Sequence, residues 1–152
     1  MTPPAIATAA GGGEMDVMCT LSVPVTVGNV LDPSREISFE GFVDPGAFGL
    51  VLPRAWMERL GALPEVAEIE VETGDQRVVG AEVRGPVRIQ VAGFRRFVGE
   101  AVFVDMAPGR DGRYEALVGY TVLELCGAVI DAVTHRLVAR RWYEAKRTGG
   151  PP

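Results

Sequence analysis

The stretch Phe42–Pro53, FVDPGAFGLVLP, sets an acid and a tight-turn signal inside an otherwise apolar run. Asp-Pro-Gly alone is what a β-turn wants: aspartate accepts a backbone N–H, proline presets φ and glycine tolerates φ > 0. The flanks are less ordinary. EGFV before it and GLVL after it are apolar, so the turn lies at the protein interior, where a carboxylate is costly unless hydrogen-bonded or functional. Asp44 is therefore either a turn former or a reactive acid. The run predicts a strand, a turn and a short strand Gly49–Leu52, with Pro53 opening the segment RAWMERLG as a helix. Trp56, Met57 and Leu60 give that helix an apolar side and Gly61 its C-cap; Trp56 is read as a core or interface anchor.

Working outward, Met18–Val27 alternates as a strand in which Pro24 marks an edge position or bulge. Glu36–Val43 is the strand that delivers Asp44, and Asp32 is assigned to a loop. Downstream, AEIEVETGDQRVVGAEVRG reads as a hairpin with its tip at Thr73-Gly74-Asp75-Gln76 and Gly-Asp as a two-residue turn. Strands at 87–91 and 97–104 follow, joined at Ala92-Gly93. Val87, Ile89 and Val91 alternate with Arg88 and Gln90, so this sheet has one wet face. After a polar loop, APGRDGRYE, the segment EALVGYTVLELCGAVIDAVTHRLVARRW predicts a strand ending at Gly119, a short helix through Leu125 and a closing hairpin around Ala132–His135. Asp131 and His135 are read as turn residues of that hairpin. The whole is mainly β with two short helices.

The length, 152 residues, fits one domain, placed at 15–145, long enough to bury a core. Residues 1–14 and 146–152 carry little to bury and are expected to be disordered tails. A net charge of −5 gives no basic footprint, so neither nucleic acid nor an anionic membrane is an expected partner. No segment approaches the ~18 uncharged apolar residues of a membrane span, and the N-terminus lacks a signal peptide's basic start. Cys19 and Cys126 lie far apart, with a single histidine in the chain, so no metal site is expected; both are read as buried reduced thiols, and a reducing cytoplasm follows. No GxGxxG, P-loop, HExxH or GxSxG pattern occurs, and no cofactor is expected.

VDPGAFGLVLPRAWMERLG resembles the retroviral-type (retropepsin-like) aspartic proteases of the bacterial branch. There an apolar strand runs into Asp-Thr/Ser-Gly-Ala, then a Leu-Val-Leu-Pro strand and a helix. ALVGYTVLELCGAVIDAVTHRLV is similar to the family's second signature: Leu117, Val118 and Gly119, a short helix, then a Val-Ile-Asp strand closing the sheet. The resemblance spans residues 17 to 140 and implies a closed β-barrel of the acid protease fold. It places a flap over a peptide or protein substrate at Thr73, Gly74, Asp75 and Gln76. It also implies catalysis by two carboxylates about 3 Å apart that share one proton, with Asp44 as the acid and Pro45, Gly46 and Ala47 as the active-site loop. One chain offers one such motif, since neither Asp32 nor Asp131 sits in a second copy. The resemblance thus implies a homodimer with Asp44 of each subunit at the two-fold axis. Terminal strands often interleave in such dimers, which suggests a dimer role for 137–143, including Trp142 and Tyr143.

The departure is Pro45. Where the family has a Thr or Ser whose hydroxyl bonds across the dimer, proline supplies neither hydroxyl nor N–H. An aspartic endopeptidase is the leading expectation, and a catalytically impaired, peptide-binding homodimer of the same fold is the alternative. A β-barrel interaction domain whose Asp-Pro-Gly is only a turn is the third.

Overall fold

Alternating valines and isoleucines make the strands, and the punctuation between them sets where each one turns. The computed structural model describes residues 21–140. The expectations for the tails at 1–14 and 146–152, for Cys19 and for Trp142 and Tyr143 lie outside the described residues. Strand β1, Ser22–Asn29, reverses into β2, Asp32–Val43. Asp32 thus opens a strand instead of sitting in a loop, because its carboxylate accepts both the Ser34 N–H (3.3 Å) and the Ser34 hydroxyl (2.7 Å), steadying the strand's first residues. Pro24 lies just outside the ladder that β1 forms with β5 from Val25 onward, the edge-like position that suits a residue without an N–H.

After β2 come β3, Leu50–Pro53, and a 3₁₀ helix η1, Arg54–Leu60, which ends on Gly61 at φ 75°. Leu60 is buried, while Trp56 is half-buried and packs against Phe39 and Tyr114 at ring separations of 5.0 and 6.0 Å. Asn29 is the one buried polar residue among those described. Its amide donates to the carbonyls of Leu60 (2.8 Å) and Ala62 (3.0 Å), and its Oδ1 accepts the Leu31 N–H (2.8 Å). The β1–β2 turn is thereby pinned to the end of η1.

Strand β4, Glu65–Glu72, pairs with β5, Val78–Val91, and β5 with β6, Phe97–Val104. The hairpin arm and the strand at 87–91, expected to be separate, are one strand. A register shift between Arg84 and Val87 absorbs Gly85 and Pro86 without ending the pairing. Along β5, residues 81, 83, 85, 87, 89 and 91 are buried in strict alternation. Then follow β7, Leu117–Val118, helix α1, Tyr120–Cys126, and strands β8, Ala128–Asp131, and β9, Arg136–Ala139.

The main sheet runs β1-β2-β7-β3-β6-β5 and returns from β5 to β1, so six strands close a ring, with β4 attached outside as an edge. This mainly β ring with two short helices agrees with the expected acid protease fold. One detail differs: β8 does not close that sheet, but pairs with β9 in a two-stranded sheet of its own. The cause is Gly127, whose left-handed conformation (φ 76°) ends α1 and turns the chain, while β9 supplies β8 with its ladder. His135 sits in that hairpin's turn as expected, whereas Asp131 is the last residue of β8, paired with Arg136, from where its Oδ1 reaches into the turn and accepts the Val133 N–H at 2.9 Å.

The larger core cluster fills the ring with Val25, Val27, Leu50, Leu52, Ile89, Val91, Phe103 and Val118. Cys126 belongs to it as a buried free thiol, its pKa pushed up by burial. A second, smaller cluster of Ala81, Val83, Val102 and Val104 lies under the β4–β5 hairpin, with Val51, Val71 and Met106 against it. This second cluster backs the candidate site.

Candidate active site

Strand β2 ends at Val43 and hands Asp44 to a loop that runs to Gly49. Within it the Asp44 carbonyl accepts the Ala47 N–H (2.9 Å) and the Asp44 Oδ1 accepts the Gly46 N–H (3.0 Å). Both the main chain and the side chain of the aspartate therefore shape the turn, and the carboxylate is left half-exposed with its second oxygen uncommitted to this bond.

The loop is strapped to the segment 117–121 by four backbone hydrogen bonds. Asp44 N–H donates to Val118 O (3.0 Å), Gly119 N–H to Gly49 O (2.9 Å), Tyr120 N–H to Ala47 O (2.8 Å) and Thr121 N–H to Phe48 O (2.9 Å). Strand β7 lies between β2, which it pairs in parallel, and β3, which it pairs antiparallel. The second signature is thus the clamp on the first. Gly119 has to be glycine for this clamp to close, since a Cβ there would lie 2.4 Å from Ala47 O and 2.5 Å from Gly49 O.

A cleft of about 1100 Å³ opens over the loop. Asp44, Gly46, Ala47 and Phe48 lie on one side of it and Ile69, Val71, Thr73 and Gly74 of the hairpin on another. Val102, Val104 and Met106 also line it, as does Leu117. Of the expected hairpin-tip residues, Thr73 and Gly74 line the cleft, whereas Asp75 and Gln76 do not. Pro45 is likewise absent from the lining, and Val118 and Gly119 contribute through their backbone.

The tip is not the two-residue Gly-Asp turn that the sequence predicts. Thr73 N–H donates to Arg77 O (2.8 Å), leaving Gly74, Asp75 and Gln76 as a three-residue loop, and Gln76 takes the left-handed position at φ 68°. Asp75 stabilises this longer form: the Thr73 hydroxyl donates a short hydrogen bond to its Oδ1 and Arg77 Nε lies 2.9 Å from its Oδ2. The Thr73 bond, followed by those from Arg77, holds the Asp75 carboxyl below the usual aspartate range.

Sequence reasoning missed the acids that line the cleft beyond the loop, namely Glu72, Asp105 and Glu115. It also missed the apolar wall. Alternation in EIEVE, which puts Ile69 and Val71 on one face, is the signal that could have found part of that wall.

The aspartyl protease family model matches residues 23–122, a span that takes in the Asp44 loop, the hairpin and the clamping segment. The chain belongs to the aspartyl protease family, in its retropepsin-like clan. No curated protein matches it. The matched span contains β2, the Asp44 loop, β3, β7 and the start of α1. Among the described residues no group of three or more His, Cys, Asp or Glu side chains is arranged to hold a metal ion, and no helix is long and apolar enough to cross a membrane.

Proposed function

We propose that the protein is an aspartic endopeptidase that works as a homodimer, with Asp44 of each copy supplying one carboxylate of the catalytic pair. The observation that carries this reading is the placement of Asp44. It is a half-exposed acid on a loop strapped down by four backbone bonds, at the side of a cleft large enough for an extended peptide. One chain supplies one such acid, and the chemistry needs two.

Two carboxylates about 3 Å apart cannot both ionise, so the pair holds one proton and titrates as a unit. The ionised member takes a proton from a bound water, whose oxygen adds to the scissile carbonyl carbon. The protonated member hydrogen-bonds the carbonyl oxygen as negative charge grows there. Transfer of a proton to the amide nitrogen then lets the C–N bond break, leaving a carboxylic acid and an amine. The β4–β5 hairpin serves as the flap, with Thr73 and Gly74 over the substrate. The buried free Cys126 suits a reducing compartment, and we place the dimer in the cytoplasm.

Pro45 favours a second reading, a homodimer that binds peptide but cleaves poorly. Without a hydroxyl at 45 the two loops lose their mutual bonds, about 0.5–1.5 kcal/mol each, and small displacements at reacting atoms can cost ~100-fold in rate. Peptide-library cleavage by the wild type and by Asp44→Asn decides between the readings. Cleavage that is lost in Asp44→Asn supports the peptidase, and cleavage that survives it refutes the assignment. Sedimentation as a monomer at micromolar concentration removes the shared pair from both readings.

A further inference from the structure

Among the described residues, the charged side chains that line the Asp44 cleft are all acidic: Asp44, Glu72, Asp105 and Glu115, with no Lys, Arg or His. The nearby arginines are either ion-paired or lie off the cleft lining. Arg54, which bonds Asp105 (3.1 Å) and Glu82, lines a separate groove of about 920 Å³ together with Arg35 and Arg84. Arg77 is held by Asp75, and Arg110 and Arg113 are absent from the cleft lining. Asp105 is therefore partly neutralised, while Glu72 and Glu115 have no ion-pair partner among the described residues. The remaining lining is largely apolar, including Ile69, Val71, Val102 and Val104. Low-dielectric walls focus the field of charges at a cleft, and such charges govern partner choice and association rate more than raw affinity.

We propose that this cleft selects extended peptide segments carrying Lys or Arg beside an apolar stretch and disfavours acidic ones, with Glu72 and Glu115 as specificity-determining residues. The inference rests on the peptidase reading for its catalytic consequence, though not for binding. In the homodimer the two-fold axis repeats both glutamates, so the preference applies on either side of the scissile bond.

The test uses three peptides with one apolar centre, flanked by Lys, Gln or Glu. Their binding to full-length Asp44→Asn protein is read by fluorescence anisotropy, and their cleavage by the wild type as kcat/KM. Binding follows Lys, then Gln, then Glu, with a Lys-to-Glu ratio of about tenfold at low salt that shrinks towards one at about 0.5 M. Combining Glu72→Gln with Glu115→Gln, in protein shown to be folded by circular dichroism, reduces the low-salt ratio to about twofold or less. Equal binding of the three peptides at low salt overturns the proposal, as does a preference that the double variant leaves unchanged. Preferential binding of the Lys peptide without cleavage overturns the peptidase reading alone. Cleavage that depends on Asp44 but ignores flanking charge overturns the charge selectivity alone, and absence of binding by any peptide overturns both.

Discussion

Replacing Gly119 by alanine tests whether the second signature really clamps the first. The added Cβ would lie 2.4 Å from Ala47 O, 2.5 Å from Gly49 O and 2.8 Å from the Ala47 carbonyl carbon. All three are backbone atoms, so no side chain can swing away. Reaching an ordinary separation of about 3.5 Å requires the Asp44 loop and the 117–121 segment to part by about 1 Å. Overpacking of this kind costs about 1–3 kcal/mol, and parting strains the Gly119-to-Gly49 and Tyr120-to-Ala47 hydrogen bonds, each worth about 0.5–1.5 kcal/mol. The sum is about 2–6 kcal/mol. For a domain of this size that corresponds to a Tm lower by about 8–24 °C. Displacing Asp44 by a comparable distance lowers peptide cleavage by ~100-fold even at temperatures where the variant is folded. Differential scanning calorimetry measures the first effect and a peptide assay the second. Gly74→Ala is the matched control, because a Cβ there meets nothing within 4 Å; its stability changes by less than about 0.5 kcal/mol. A Gly119→Ala protein that melts and cleaves like the wild type would refute the clamp.

Asp44→Asn abolishes cleavage while leaving thermal stability within about 1 kcal/mol, because an asparagine oxygen can still accept the Gly46 N–H; a parallel loss of fold and activity would point to a structural role. On the homodimer proposal, Pro45→Thr raises kcat by placing a hydroxyl at the shared axis, and an unchanged kcat in a folded dimer shows that this bond is not what limits the rate. Asn29→Ala strips three hydrogen bonds from a buried turn and lowers stability by about 2–4 kcal/mol in urea unfolding. The hairpin tip also responds to pH. Asp75 titrates below the ordinary aspartate range, so its contribution is complete above that range and is lost as pH falls through its lowered folded-state value. Protection factors for amide exchange at Gln76 and Arg77, which are corrected for the intrinsic slowing of exchange in acid, fall on acidification, and Asp75→Asn removes that dependence.

What the sequence made legible was local. Asp44 with Gly46 and Ala47, the helix stop at Gly61 and the turn at Asp131–His135 each follow from residues within a few positions of one another. Three expectations failed where strand pairing and backbone conformation, not composition, decide the outcome. Gly85-Pro86 has the composition of a break, yet pairing with β6 resumes at Val87 through a register shift that no local signal announces. Gly-Asp at the tip has a two-residue signature, but Thr73 and Arg77 fix a longer loop that puts Gln76, a residue without any special left-handed preference, at φ 68°. The Val-Ile-Asp strand is apolar enough for the main sheet, and Gly127 and β9 divert it. The cleft acids Glu72, Asp105 and Glu115 come from three separate segments, so only folding brings them to one surface.

The position of β7 also sets a timetable. Strands β2 and β3 flank a gap that only Leu117–Val118 can fill, and those residues follow Asp44 by most of the domain's length. A growing polypeptide has already made its acid, its turn and its hairpin while that slot is still empty. Such long-range closure is slow compared with local hairpin formation. The Asp44 loop is thus among the last parts of the molecule to become rigid, so a truncated or nascent chain lacks the clamped loop even though its aspartate is already in place.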